Sequence, residues 1–185
     1  MIRYTIFETC WGHFALALRG DRVCRAFLPT DEPATVRHAL LASFGASSQD
    51  AAFEPGAAMD LQRRIVAYFE GENVDFSTDP AVDLSGRGPF EQAVLNACRQ
   101  IPAGQTLTYT ALAGQVGRRQ AARAVGNAMA GNPIPLIVPC HRVVRTDGGL
   151  GGFSAPGGTA TKQRMLDHER LLVFRAAGRT EAVQV

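Results

Sequence analysis

The segment Asn132–Val144, NPIPLIVPCHRVV, constrains the fold of this chain more than any other. It is almost wholly apolar and is interrupted by Pro133, Pro135 and Pro139. Proline fixes φ and removes a backbone donor, so the run is stiff as well as apolar. It ends in Cys140, and His141 and Arg142 follow directly. Whatever folds around it must bury a rigid wall and bring a thiol, an imidazole and a guanidinium out at its end.

The chain has room for such a core. It has 185 residues, 46% hydrophobic and 19% charged, enough for one domain or two small ones. The formal charge of +2 does not demand a polyanionic partner, although a local basic patch is compatible with it. The four cysteines, Cys10, Cys24, Cys98 and Cys140, show no C-x-x-C spacing, and a core-rich chain of this length does not need disulfides. The start, MIRYTIFETCWGHF, alternates polar and apolar residues, so no signal peptide is expected. No apolar run approaches the roughly 20 residues of a spanning helix, so no membrane association is expected. These features suit free thiols in a reducing cytoplasm.

The runs RYTIFET, HFALALRG and RVCRAFLP, separated by Gly12 and by Gly20-Asp21, predict a meander of short antiparallel strands. Pro33 opens a helical pattern that stops near Gly45. SSQDAAFEPG reads as a loop. Met59, Leu61, Ile65, Val66 and Phe69 predict a second amphipathic helix ended by Gly71. NVDFSTDPAVDLSGRG has strand character and several breakers, and a domain boundary is placed at Leu84–Gly88. Helices are then expected over FEQAVLNACRQI, over YTALAGQV with Thr108 or Thr110 as cap, and over RRQAARAVGNAMAG. A glycine-rich loop, Gly148–Gly158, precedes a last helix over TATKQRMLDHER.

Helix, glycine turn and helix make the outline of a helix-turn-helix. Its second helix holds Arg118, Arg119 and Arg123 among small residues such as Ala122, Gly126 and Ala130. Small residues let a helix approach a nucleic-acid backbone, and arginines meet phosphates or bases. The same pattern also suits a tightly packed core helix with solvated arginines.

Cys140 is the first candidate for chemistry, because nearby cationic groups favour the reactive thiolate. An inert buried cysteine is the alternative. His168-Glu169 supplies a carboxylate that can fix an imidazole tautomer, or else an ordinary charged helix end. Asn132 precedes a proline and can order a turn through its amide. Cys10, His13, Cys24 and His38 are zinc-type donors, but their spacing is irregular and no metal is expected.

RAVGNAMAGNPIPLIVPCHRVV, Arg123–Val144, strongly resembles the O6-alkylguanine-DNA alkyltransferases, also called methylated-DNA–protein-cysteine methyltransferases. The likeness extends over PFEQAVLNACRQIPAGQTLTYTALA and through KQRMLDHE, about half the chain, and is looser before that. It implies an α+β protein. A small N-terminal sheet-and-helix domain, ribonuclease-H-like and antiparallel, would span 1–84. A mostly helical domain with a DNA-binding helix-turn-helix would span 85–175, and a tail 176–185. The implied activity is single-use, irreversible transfer of an alkyl group from O6 of guanine, after base flipping, to the protein's own cysteine. No cofactor is implied. The implied partner is double-stranded DNA carrying O6-alkylguanine, met by a cytoplasmic monomer.

Carried over residue by residue, the resemblance makes Cys140 the alkyl acceptor. His141 would take its proton through water, and Glu169 would orient His141. Asn132 would be the hinge residue of the cysteine segment, and Tyr109 a donor to the guanine. Arg123 would enter the stack where the base leaves, with Thr108, Ala122, Gly126 and Ala130 on the DNA-binding surface. Met129, Pro135, Val143, Phe153, Ser154 and Lys162 would line the substrate pocket, Ser154 bonding the alkylated oxygen. Phe153 stands where many members have tyrosine, Ala130 takes a position that is basic in some, and the loop from Phe153 to Lys162 is slightly longer than in some relatives.

Three rival readings are a lesion-binding protein without transfer, a helix-turn-helix regulator and a cysteine hydrolase. The intact Cys140, His141 and Glu169 set speaks against the first, and the small net charge against the second. Repeated turnover would mark the third.

Overall fold

The computed structural model describes residues 1–78 and 80–181. Three alternating segments form the expected meander: β1 (Ile2–Thr9), β2 (Gly12–Arg19) and β3 (Arg22–Thr30), antiparallel in sequence order. At Gly12 φ is +114°, and a Cβ would come within 2.5 Å of the Thr30 carbonyl oxygen, so this turn requires glycine. Helix α1 (Pro33–Ala42) packs on β2 and β3. After a short 3-10 stretch, β4 (Ala51–Phe53) returns beside β1, giving the order β3-β2-β1-β4.

Strand periodicity sends successive side chains to opposite faces. Tyr4, Ala15, Ala17 and Cys24 meet Val36 and Leu40 of α1 on one face. Phe14, Leu16 and Leu28 face the other way, against Leu61, Ile65, Tyr68 and Phe69 of α2 (Met59–Glu70) and the main core. The outer edge of β3 is covered. Val23 N–H bonds Ala81 O at 2.9 Å, Asp83 N–H bonds Val23 O at 2.8 Å, and Ala26 N–H bonds Pro133 O at 2.9 Å. An uncovered edge is a template for pairing with another chain, and these contacts remove part of it.

The second half is mostly helical: α3 (Pro89–Arg99), α4 (Tyr109–Gln115), α5 (Ala122–Ala130) and α6 (Gly158–Glu181). Strands β5 (Leu107–Thr108) and β6 (Val143–Val144) pair in parallel. Thr108 Oγ1 accepts the Ala111 N–H at 3.1 Å and caps α4. Val94, Leu95 and Cys98 of α3 share a core with Leu112, Val125, Met129, Ile134 and Met165. Among the described residues no helix is long and apolar enough to cross a membrane.

Five expectations need correction. The sheet is mixed, because β4 pairs in parallel with β1 after the α1 crossover. SSQDAAFEPG is therefore not all loop. The 73–88 stretch forms no ladder; it contributes only a bridge, Val82 to Val23, and the buried anchors Phe76, Val82 and Leu84. The arginine helix begins at Ala122, since Arg118–Ala121 turn after Gly117, where φ is +72°. The last helix runs to Glu181, so the boundary drawn at 175 falls inside it; LLVFRAA contains no breaker. Residues 182–185 of the expected tail lie outside the described residues.

Candidate active site

The proline-rich run folds as a clamped turn. Asn132 Oδ1 accepts the Ile134 N–H at 3.0 Å, and its Nδ2 donates to Val138 O at 2.8 Å. Val138 N–H returns to Ile134 O at 2.9 Å. Inside the turn, buried Leu136 has φ +76°, a left-handed conformation that costs a non-glycine residue about 1–3 kcal/mol. The flanking prolines and the Asn132 clamp hold it there. Cys140–Arg142 follow as a single 3-10 turn leading into β6.

That turn delivers His141 and Arg142 to one carboxylate. His141 Nε2 lies 2.7 Å from Glu169 Oε1. Arg142 donates Nη2 to Oε1 at 2.8 Å and Nε to Oε2 at 3.0 Å, and its Nη1 donates to Ile101 O. Tyr68 Oη donates to Oε1 at 3.0 Å and Gly104 N–H to Oε2 at 3.2 Å. Both His141 and Glu169 are fully buried. Burial would raise the Glu169 pKa, but the facing His141 and Arg142 outweigh it and hold the carboxyl well below the usual range. An ionised carboxylate only accepts, so Nε2 of His141 carries the proton in that bond. Nδ1, buried and without a partner among the described residues, is left as the basic nitrogen. Burial also lowers the His141 pKa, leaving it neutral at rest.

Burial pushes the Cys140 thiol up, while a hydrogen bond from Asn132 and the charge of Lys162 pull the other way. Lys162 is wholly buried. Its Nζ donates to Val143 O at 2.6 Å and lies 3.5 Å from Tyr109 Oη. Burial raises the Tyr109 pKa, so its phenol is a neutral donor.

Two clefts adjoin, and the thiol lines one of them. One, of about 730 Å³, runs along α5 and is lined by Tyr109, Ala122, Arg123, Gly126 and Met129. The other, of about 540 Å³, contains Asn132, Pro135 and Cys140. Ala130, Phe153 and Ser154 line both. Arg123 is exposed. Ser154 Oγ donates to Ala130 O at 2.9 Å and ties the glycine-rich loop to the end of α5. Val143 and Lys162 line neither cleft; Val143 is core, and Lys162 braces the backbone behind it. Thr108 is spent on capping α4.

The zinc-type donors are scattered. Cys10 Sγ donates to Phe69 O, Cys24 Sγ to Ala17 O, and His13 Nδ1 lies 3.2 Å from Asp31 O. His168 bonds Tyr68 O at 2.7 Å rather than its neighbour Glu169. Sequence reasoning gave no role to Tyr68, Arg142 or Gly104. A tyrosine in the buried stripe of an amphipathic helix needs a polar partner, which was the available signal for Tyr68. At Gly104 φ is +74°, and a Cβ would strike Val173 Cγ2 at 2.7 Å, so only glycine brings this N–H to Glu169.

Residues 89–171 match the family described as 6-O-methylguanine DNA methyltransferase, DNA binding domain. This match and the fold define the class as proteins that remove methyl groups from methylated DNA. The methylated-DNA–protein-cysteine methyltransferase of Salmonella typhimurium is 41% identical over 123 residues, 66% of this chain and 68% of the relative. The constitutive one of Bacillus subtilis is 33% identical over 169 residues, 91% and 95% of the two chains. The chain belongs to the methylated-DNA–protein-cysteine methyltransferase family. Among solved structures, Mycobacterium tuberculosis OGT in complex with DNA superposes with a TM-score of 0.74 and 33% identity, covering 92% of this chain and 94% of that one. The O6-methylguanine-DNA methyltransferase of Pyrococcus kodakaraensis gives 0.68 and 25%, covering 91% and 99%.

Proposed function

We propose that this protein repairs DNA by moving the alkyl group of O6-alkylguanine onto Cys140, once per molecule. One observation carries this reading: Cys140 stands on the wall of a cleft that joins the exposed arginine cleft of α5, and the next residue belongs to a buried His–Glu pair.

In this reading the protein has two units, 1–84 and 85–175 with the rest of α6, and acts as a cytoplasmic monomer on duplex DNA. Helices α4 and α5 serve as a helix-turn-helix, with Ala122, Gly126 and Ala130 allowing close approach. A base inside a duplex is out of reach of a protein nucleophile, so the target nucleotide is extruded. Arg123 fills the vacated stack. Tyr109, Met129, Phe153 and Ser154 receive the base.

In the chemical step the thiol proton passes to His141 Nδ1, directly or through one water, and the imidazolium is held by Glu169. The thiolate pair forms the new C–S bond as the C–O6 bond breaks. That bond's electrons stay on guanine, which takes up one proton, with Tyr109 as the near donor. The thioether has no base-catalysed way back.

Intact-protein mass spectrometry after incubation with O6-methylguanine duplex tests this. A single methyl gain, mapped to Cys140 and absent in Cys140→Ser, is expected. Label on another cysteine, or repeated turnover with release of methanol, overturns the assignment.

A further inference from the structure

The cleft that holds Cys140 is also lined by Arg25 and Phe27 of β3 and by Arg87 of the connecting segment, with Pro133 and Pro135 among its apolar walls. Among the described residues no carboxylate lines the cleft, and its only charged members are the two guanidiniums.

Neither guanidinium is neutralised. Arg25 Nη1 donates to Cys24 O at 2.8 Å, and the group stacks 5.4 Å from the Phe44 ring centre. Arg87 makes no side-chain hydrogen bond or ion pair among the described residues; it rests against Gly131, where a Cβ would lie 3.2 Å from Nη1. Neighbouring Arg19, by contrast, is closed off by Asp83 at 2.6 Å. Burial, then Arg87 and Arg19, disfavour the charge on Arg25, while Cys24 and the carboxylate of Asp83 favour it in part. Two cations without an ion-pair partner among the described residues, in a cleft that no carboxylate lines, suit an anion.

The cleft shares Ala130, Phe153 and Ser154 with the cleft of α5. A base held by Tyr109 and Met129 would direct its O6 substituent to Cys140. A substituent longer than methyl would extend into the cleft that the two guanidiniums line. Arg87 lies beside the C-terminal end of α5 and Arg123 near its start, so the two cations attend different parts of a substrate.

We propose that Arg25 and Arg87 form an anion subsite that selects guanine adducts whose alkyl chain ends in a carboxylate. The proposal rests on the alkyl-transfer reading. The chemistry is unchanged: sulfur bonds the first chain carbon, the C–O6 bond breaks, guanine keeps the electron pair and takes a proton, and the carboxylate is a spectator. Its contribution is alignment of the chain through charge-assisted hydrogen bonds.

The test compares single-turnover transfer from duplexes carrying O6-carboxybutylguanine or its neutral carbamoylbutyl analogue, read by intact-protein mass. The wild type should transfer the carboxylate adduct about tenfold faster, the factor expected of a charge-assisted bond. The double variant Arg25→Gln/Arg87→Gln should lose that preference while O6-methyl transfer changes less than about twofold, since uncharged substrates make no such bond. Arg87→Lys, which retains charge, should keep part of it. A wild-type ratio near one overturns the subsite without reference to any variant, and so does a preference unchanged in a folded double variant. Weaker binding of unmodified duplex by the double variant, with a salt slope lower by about one contact, would assign the arginines to DNA phosphate instead. No mass gain from O6-methylguanine duplex would overturn the alkyl-transfer reading and the subsite together, whereas normal methyl gain with a ratio near one overturns the subsite alone.

Discussion

Tyr68 on α2 donates its hydroxyl to Glu169 on α6 at 3.0 Å, onto the same oxygen that meets His141 at 2.7 Å. The N-terminal half therefore reaches into the centre of the site. Burial, then the Glu169 charge, push the Tyr68 pKa well up, so it stays a donor. Tyr68→Phe keeps the ring and removes one bond to a buried anion, which should cost about 1–3 kcal/mol of stability. Denaturant unfolding measures it. An unchanged midpoint would mean that the bond is not contributing.

Glu169→Gln should slow alkyl transfer by about 10²–10⁴-fold, the usual worth of general acid–base assistance. A neutral amide cannot stabilise the imidazolium that forms on His141. Affinity for unmodified duplex should stay near that of the wild type. Single-turnover rates beside binding isotherms separate the two effects, and equal transfer rates would remove Glu169 from the relay.

Stability should fall in two stages as pH drops. Burial sets the folded His141 pKa below its ordinary 6.5, so the unfolded chain binds that proton first and folding weakens as pH falls through about 6.5. The Glu169 pKa is likewise held below its ordinary 4.5, so the stabilisation it gives is complete above that value and is lost progressively beneath it. Unfolding midpoints across this range should show both stages, with the lower one diminished in Glu169→Gln. A flat profile down to pH 4.5 would contradict the buried neutral imidazole.

Arg123→Ala should slow repair of duplex DNA strongly and repair of a free alkylated base only mildly. A side chain in the vacated stack offsets part of an unstacking cost of a few kcal/mol, which a free base does not incur. The salt slope of binding should change by about one contact or less. Equal losses on both substrates would place Arg123 in support of the fold.

The segment from Asn132 to Arg142 is the most legible part of the sequence, because its residues stand in a fixed local order, while the pairing of His141 with Glu169 came from the family resemblance. Cys140 and His141 are neighbours, and one 3-10 turn brings His141 to Glu169. What was hidden depends on residues distant in sequence. Tyr68 reaches Glu169 across 101 positions and Gly104 across 65, and no local pattern encodes either pairing. Strand β4, only three residues long, lacks the alternation that reveals a strand and is defined by β1 beside it. The placement of Lys162 depends on a carbonyl of β6, so its sequence position suggested a pocket wall where the fold makes it a brace.

The bond from Ala26 N–H to Pro133 O joins the outer strand of the sheet to the residue next to Asn132. Asn132 in turn grips Val138, two residues before Cys140. Cys140 is only 6% exposed and lines the cleft, so a thioether there adds bulk directly beside the clamped turn. Strain released through Asn132 would loosen Pro133 from β3 and uncover an unpaired strand amide. Faster hydrogen exchange at the Ala26 amide after alkylation would register it; unchanged exchange would show that the clamp absorbs the new group without passing the strain on.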